Sequence, residues 1–124
     1  MSAADSEVVQ VAVEFARFFS MKHRGIVSLR SDGTIHIQRL GYSGFVRYLR
    51  KKDNVPLDQW IAAKQAEIRG IPSWCFEVTE LPTMEELEEW ASGSIVDTPT
   101  GYSVEPDGCG PDGVPSWLRC LGLI

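Results

Sequence analysis

Residues 26–40 contain the pattern that most restricts the fold of this chain. Two short segments in which apolar and polar residues alternate, 26–30 and 34–40, lie on either side of the turn sequence Ser31-Asp32-Gly33. Alternation of this kind is typical of half-buried strands, and a short glycine-containing turn between two such segments is typical of a β-hairpin. The pattern therefore predicts an antiparallel hairpin early in the chain.

The register of this hairpin follows from which loop keeps the two faces distinct. A two-residue Asp-Gly loop would mix apolar with polar residues on both faces. A three-residue loop with Gly33 in the left-handed conformation instead pairs Leu29 with Ile35 and Val27 with Ile37. We expect this second arrangement. Its solvent side would carry Ser28, Arg30, Thr34, His36 and Gln38.

Apolar residues at three- and four-residue steps predict an amphipathic helix over residues 6–24. They are Val8, Val11, Ala12, Phe15, Phe18 and Phe19. Lys22, His23 and Arg24 would lie at the negative end of its dipole, with Gly25 ending it. Further elements are expected as helices at 43–52 and 56–69, a strand at 73–80, a helix with the capping box Thr83–Glu86, a hairpin at 94–105, a turn-rich loop at 106–113 and a last helical turn after Pro115.

These elements add up to an α+β fold. The 124 residues are enough for a single domain over 1–124, with an N-terminal amphipathic helix, one or two hairpins in a small antiparallel sheet and three or four further short helices. The apolar content of 44% and the four tryptophans exclude wholesale disorder.

The chain is expected to be cytoplasmic. No apolar run approaches the ~20 residues of a membrane span, and the first residues lack the basic and apolar regions of a signal peptide, so no membrane partner is predicted. Three cysteines without a CxxC pair favour a reducing compartment.

Charge divides unevenly along the chain. Residues 1–69 carry 11 basic and 7 acidic residues, whereas residues 70–124 carry 1 basic and 10 acidic residues. Nine of the basic residues lie between Arg17 and Lys52, where Asp32 is the only acid. Blocks of one sign on a folded domain steer charged partners, or attract each other within the fold or across a homodimer.

Two charged patches are the candidate binding sites. The basic patch, a possible surface for nucleic acid or another partner, consists of Arg30, Arg39, Arg47, Arg50 and Lys51, with Tyr42 and Tyr48 available to stack on bases. The acidic patch, for a basic protein partner, consists of Glu85, Glu86, Glu88 and Glu89. The alternative is that both are solvated helix faces whose charges pair with each other.

No motif for catalysis or metal binding accompanies these charges. His23 and His36 form no HxxxH, HxH or Cys/His pair, so no metal and no cofactor are predicted. The segment 107–112 lacks the oxygen ligands of a calcium loop at its third and fifth positions. Cys109 lies in that loop and is expected to be exposed, whereas Cys75 and Cys120 lie in apolar segments and should be inert.

The last quarter of the chain, residues 100–108 with 112–118 and 121–124, resembles the endings of small uncharacterised proteins carried on bacterial plasmids and integrative elements. The resemblance implies no catalytic residues. It implies a context in which small acidic proteins act by binding, some by blocking restriction or CRISPR machinery and others by regulating transfer.

The sequence thus favours a non-enzymatic accessory protein that binds a macromolecule, in the first place a protein of the host's nucleic-acid machinery, through charged surfaces. The alternative is direct binding of nucleic acid by the basic region 17–52. A small enzyme of unknown class is the third hypothesis. All three depend on the two kinds of charge staying apart in the folded molecule.

Overall fold

The computed structural model describes residues 12–124, which contain six strands and four helices. The strands are β1 (Glu14–Ser20), β2 (Gly25–Arg30), β3 (Thr34–Arg39), β4 (Val46–Arg50), β5 (Val96–Asp97) and β6 (Ser103–Val104). The helices are α1 (Leu57–Ile68), α2 (Ser73–Glu77), α3 (Met84–Ser92) and α4 (Trp117–Cys120). Within these described residues, no helix combines the length and the apolar character that a membrane span requires.

Strands β1 to β4 form one antiparallel sheet in sequence order, and β5 pairs with β6 separately. This arrangement confirms the α+β class. The register of the β2–β3 hairpin is the predicted one, because Leu29 lies opposite Ile35 and Val27 lies opposite Ile37. Gly33 has φ +86°, the left-handed conformation that the three-residue loop requires.

The predicted helix over residues 6–24 is wrong where the structure describes it. Residues 14–20 are strand β1, paired with β2, and the turn 21–24 connects the two; residues 6–11 of the predicted helix lie outside the described residues. Phe18 and Phe19 point to opposite faces of the sheet, and a β-bulge at Phe15 interrupts the pairing. The bulge and the two adjacent phenylalanines together give apolar residues at three- and four-residue steps. This spacing resembles that of a helix, which is why the sequence pattern predicted one.

The predicted helix over 43–52 is also wrong, because residues 46–50 are the edge strand β4. A second bulge, at Tyr48, separates Arg47 opposite His36 from Leu49 opposite Ile35. An extra residue in a strand turns a two-residue period locally into a three-residue one. The spacing therefore resembled one face of a helix.

The segment predicted as a strand over 73–80 begins instead with the short helix α2. Its buried residues, Cys75 and Val78, are three apart, and the amide of Cys75 donates to the carbonyl of Pro72. Pro72 precedes the first helical residue and has no amide hydrogen to pair, which suits the start of a helix. The helix packs on β1, where the rings of Phe76 and Phe18 are 5.7 Å apart.

Two further helices and the second hairpin follow the sequence patterns. Helix α1 runs from Leu57 to Ile68, and α3 begins with the predicted capping box. In that box the amide of Glu86 donates to the Thr83 hydroxyl, and the amide of Thr83 donates to the Glu86 carboxylate. In the second hairpin, the amide of Gly101 donates to the carbonyl of Thr98 and closes the turn between β5 and β6.

The core lies on both sides of the four-stranded sheet. On one side, which we call the helix side, the buried cluster is Phe18, Val27, Leu29, Ile37 and Cys75, with Ile68 and Ile71 packed against it. On the other side, Phe19 and Ile26 join the C-terminal residues Val96, Trp117, Leu118 and Leu121. The C-terminal residues therefore cover only the end of this second face that carries Phe19 and Ile26.

Candidate functional site

On the side of the four-stranded sheet that carries Phe19 and Ile26, the part not covered by the C-terminal residues bears a row of polar side chains across all four strands. Arg17 lies opposite Ser28, Ser28 opposite His36, and His36 opposite Arg47. Neighbouring strands are ~4.8 Å apart, so the row spans roughly 14 Å from one edge of the sheet to the other. It places one arginine at each edge and a histidine between them.

A second row, next to the first, adds two more arginines. Arg30 lies opposite Glu14 at the end of β2, and Arg50 lies opposite Thr34. We call the basic side chains of these two rows the basic sheet face. They are Arg17, Arg30, His36, Arg47 and Arg50, with Lys51 directly after the end of β4.

The two bulges bring these cations onto a single face. Arg47 and Arg50 are three residues apart and would point to opposite faces of a regular strand. The additional residue at Tyr48 restores both to the face of His36 and Thr34. The bulge at Phe15 does the same for Glu14 and Arg17, whose carboxylate Oε2 and Nε atoms are 2.8 Å apart.

One corner of the face is a groove of about 290 Å³ lined by Asp32, Thr34, Arg47, Arg50 and Lys51. The amide of Lys51 donates to the carbonyl of Gly33 over 2.7 Å, which extends the β3–β4 pairing to the turn. A Cβ atom at Gly33 would lie 2.9 Å from Cγ of Lys51. Glycine at this turn therefore allows the stem of the lysine to pack closely at the corner.

Three acids lie close to the basic sheet face, and each is held by a local partner. Glu14 accepts hydrogen bonds from the Arg17 guanidinium and the Ser28 hydroxyl. Burial raises the pKa of Glu14, but these hydrogen bonds and the nearby charges of Arg17 and Arg30 outweigh it, so that the pKa is lowered. Asp53 pairs with Arg50 over 2.5 Å, and both side chains are largely exposed.

Asp32, the third acid, stabilises the turn of the β2–β3 hairpin. Its carboxylate accepts hydrogen bonds from both the amide and the hydroxyl of Thr34. Burial raises the pKa of Asp32, whereas these hydrogen bonds, together with the charge of His36, lower it overall. The two arginines Arg30 and Arg47 form no ion pair with a carboxylate among the residues that the structure describes.

The pKa of the central histidine is lowered by burial and by its charged neighbours together. Burial lowers the pKa of His36, the charges of Arg30 and Arg47 lower it further, and Asp32 opposes them. His23, in the β1–β2 turn, has a pKa that is lowered by burial and by the charges of Lys22 and Arg39. Both imidazoles are therefore biased towards the neutral form.

The structure corrects the predicted basic patch at Arg39. By strand alternation Arg39 shares the helix side with Ile35 and Ile37, and its guanidinium lies 5.1 Å from the centre of the Tyr48 ring. The other predicted members, Arg30, Arg47, Arg50 and Lys51, lie together, but Arg47 and Arg50 lie on strand β4 instead of a helix. Sequence reasoning missed Arg17 and His36 as members, because only the register places them in one row.

The prediction that Ser28 and Thr34 face solvent is wrong for these two side chains. Both lie on the predicted face, yet both are buried. Long arginine and histidine side chains stand on either side of them in the two rows, and the stems of such residues cover a short hydroxyl. The hydroxyls bond to Glu14 and Asp32 respectively and so remain satisfied.

The acidic patch lies on helix α3, where Glu85, Glu88 and Glu89 are exposed. The fourth predicted member, Glu86, is exposed as well, but its carboxylate is engaged in the capping box. The described residues form three ion pairs, and each pair joins two residues that are three positions apart in the sequence. None of these three pairs connects the basic sheet face with α3.

The side chain of Asp112 stabilises the loop 106–113 near the C-terminus. Its carboxylate accepts hydrogen bonds from the Thr100 hydroxyl and from the amide of Val114. These bonds tie the loop 106–113 to the β5–β6 turn. Among the described residues, no group of three or more His, Cys, Asp or Glu side chains is placed to hold a metal ion.

The three cysteines differ in accessibility as the sequence predicts. Cys109 is exposed, whereas Cys75 and Cys120 are buried. Burial raises the pKa of Cys120 to about 12, with a further increase from Cys75 and an opposing effect of Arg119. Burial also raises the pKa of Cys75. Because the thiolate is the reactive form, these two thiols should react slowly in the folded protein.

We expect one fast-reacting thiol per folded molecule when the protein is treated with Ellman's reagent at neutral pH. The other two should react only after unfolding in guanidinium chloride, because burial restricts access and disfavours the thiolate. The variant Cys109→Ser should abolish the fast phase and leave the slow one. A second fast thiol in the folded wild type would contradict the placement of Cys75 or Cys120.

Comparison of the chain with family models, with curated proteins and with solved structures found no match.

Proposed function

We propose that the protein is a non-enzymatic binding protein whose basic sheet face holds the phosphate backbone of a nucleic acid. The observation that carries the proposal is the convergence of Arg17, Arg30, Arg47 and Arg50 on one face of the sheet. Phosphate contacts by such side chains supply most of the affinity in sequence-independent binding.

The shape of this surface favours a single strand over a duplex. A duplex accepts a helix or a two-stranded ribbon in its major groove, and a four-stranded sheet face is wider than either. A single strand can lie across the face and place its bases on aromatic rings. One such ring, that of Phe45, lies 4.7 Å from the Arg17 guanidinium at the edge of the basic sheet face.

The local excess of cations on this face supports the same proposal. An acidic protein, with a net charge of −5, repels nucleic acid on average, so binding requires a local region of positive potential. Arg30 and Arg47, which form no ion pair with a carboxylate among the described residues, lie in that region. The role in modulating restriction or CRISPR machinery, which the resemblance of the C-terminal quarter implies, stays a prediction.

The test is fluorescence anisotropy with a labelled single-stranded oligonucleotide and a duplex of the same sequence. For about four phosphate contacts we expect the logarithm of the association constant to fall with the logarithm of the salt concentration with a slope of about −3 for the single strand. The single strand should bind more tightly than the duplex. Absence of binding at micromolar protein in low salt, or binding that is independent of salt, would overturn the proposal.

A further inference from the structure

Two neighbouring cavities of the molecule share part of their walls. The larger, of about 430 Å³, lies between helix α3 and the C-terminal residues, and the smaller, of about 280 Å³, lies beside the β1–β2 turn. Leu40 and Leu123 line both of them, so the two cavities adjoin. We call the larger one the apolar groove and the smaller one the cationic pocket. No residue of the basic sheet face lines either cavity.

Hydrophobic side chains dominate the lining of the apolar groove. Leu87 and Leu118 line it and are buried in the core, whereas Met84, Leu123 and Ile124 line it and are each about half or more exposed. A mostly apolar lining and a volume in the lower part of the range of ~300–1,000 Å³ are typical of a site for a small molecule. The groove therefore suits one slender apolar chain.

The charged side chains that line the cationic pocket are all basic. They are His23 and Arg24 of the β1–β2 turn and Arg39 at the end of β3. Neither arginine forms an ion pair with a carboxylate among the residues that the structure describes. An anion that enters the pocket therefore meets two guanidinium groups that carry no carboxylate partner.

Two contacts hold these guanidinium groups in position. Gly122 has φ +69°, and a Cβ atom there would lie 2.7 Å from Cζ of Arg24, so glycine lets this side chain lie against the backbone next to Leu123. The guanidinium of Arg39 lies over the ring of Tyr48, 5.1 Å from its centre. Such a contact uses the flat face of the group and leaves the N–H groups at its edge able to donate.

The charges differ between the two cavities. Glu88, on α3, is the one charged residue that lines the apolar groove, and it does not line the cationic pocket. The pocket is lined by two arginines and a histidine and by no acid. An occupant with a single anionic group would therefore hold that group in the pocket and its apolar part in the groove.

The lining also selects the kind of apolar chain. A peptide brings backbone amide groups, which need hydrogen-bond partners when they leave water, whereas an alkyl chain brings none. A carboxylate fits the planar fork of an arginine and forms strong charge-assisted hydrogen bonds with it. From the apolar groove and the adjoining arginines together, we propose that this site binds a long-chain fatty acid. Its carboxylate lies against Arg24 and Arg39, and its alkyl chain lies along the apolar groove.

The probe for this site is 12-bromododecanoic acid, whose bromine quenches the fluorescence of a tryptophan that it contacts. Trp90 lines the apolar groove, whereas Trp60, Trp74 and Trp117 line neither cavity. We expect saturable quenching in the wild type. Trp90→Phe should remove most of the quenching, while calorimetry still detects binding of the acid. Quenching that persists in Trp90→Phe would locate the probe elsewhere and overturn the proposal.

The double variant Arg24→Gln/Arg39→Gln tests the position of the carboxylate. It should weaken binding of the acid about tenfold or more, because charge-assisted hydrogen bonds are lost. Binding of 12-bromododecanol, which has the same chain and no charge, should not change. The matched control Lys52→Gln/Arg69→Gln removes two exposed charges outside both cavities and should leave both affinities unchanged. Equal losses in the two double variants, or equal losses for acid and alcohol, would contradict the proposal.

The variant Ala91→Glu tests the position of the alkyl chain. Ala91 lines the apolar groove and is exposed, so the variant should keep the urea unfolding midpoint of the wild type and bind the acid about tenfold more weakly. Ala62→Glu makes the same change at an exposed position of α1 outside both cavities and should have no effect. Equal effects of the two variants would count against a chain in the groove.

Chain length gives an independent measure of the same contact. Each buried methylene strengthens binding by about two- to fourfold, so 8-bromooctanoic acid should bind more than tenfold more weakly than the twelve-carbon acid. Calorimetry on the wild type measures both affinities without any variant. Equal affinities of the two acids would show that the chain stays in water, and the proposal would then be wrong.

Sedimentation velocity and vesicle flotation test the other possible occupants. We expect the wild type and Ala91→Glu to have the same mass in solution, and the wild type not to float with phosphatidylglycerol vesicles. A wild-type dimer that Ala91→Glu dissociates would make the groove an interface between two copies. Flotation that Arg24→Gln/Arg39→Gln abolishes would make the site a membrane contact. Either result would overturn the proposal, and neither bears on nucleic-acid binding by the basic sheet face.

Discussion

The double variant Arg47→Glu/Arg50→Glu is expected to bind a single-stranded oligonucleotide on the order of 100-fold more weakly than the wild type in low salt. Both side chains are exposed on β4 and point to one face because of the bulge at Tyr48. The variant loses two phosphate contacts and places two carboxylates in their position. The salt-dependence slope should therefore become shallower by about 1.4. Fluorescence anisotropy over a salt titration measures both quantities.

The control for this result is Arg39→Glu/Arg69→Glu, which has the same net charge. Arg39 belongs to the other face of the sheet, and Arg69 follows the last residue of α1. These reversals should change affinity only through the general charge, by severalfold at most. Equal losses in the two double variants would show that total charge, and not the basic sheet face, determines binding.

Phe19→Ala is expected to have the largest effect on stability, a decrease of about 3–5 kcal/mol in the free energy of unfolding. The side chain is 1% exposed, and its ring meets that of Trp117 edge to face at 5.2 Å and lies 6.1 Å from that of Trp74. Removal of the ring leaves a cavity between the sheet and the C-terminal residues. Urea unfolding followed by tryptophan fluorescence gives the value.

Phe76→Ala provides the comparison, because Phe76 is 38% exposed on α2 and should lose less than half as much. The pair also tests the strand assignment of β1. In strand β1, Phe19 joins the C-terminal cluster and Phe18 joins the cluster on the helix side. A small effect of Phe19→Ala, comparable with that of Phe76→Ala, would contradict the burial of Phe19 beneath Trp117.

Local sequence patterns were sufficient to predict those elements whose register or starting point is determined by residues within the element itself. The β2–β3 register follows from matching apolar residues across a glycine turn, and the start of α3 follows from Thr83 and Glu86. In both cases the determining interactions join residues no more than ten positions apart along the chain. The burial of Cys75 and Cys120 was also predictable, because both lie in apolar segments.

The two outer strands could not be recognised in this way. A bulge at Phe15 and another at Tyr48 give each strand a three-residue spacing that resembles a helix. The choice between helix and strand there depends on pairing with β2 and β3, whose partners are 11 or more residues away along the chain in several of these pairs. Tertiary contacts of this kind override local propensity.

The candidate site shows the same division. From the sequence alone, the excess of cations between residues 17 and 52 and the run of glutamates after Thr83 are evident, because charge is a property of each residue type. Which cations share a surface was decided by the tertiary structure, since sheet register and bulges determine the direction of each side chain. That is why Arg17 and His36 join the basic sheet face, why Arg39 leaves it, and why α3 meets residues about 30 positions further along the chain.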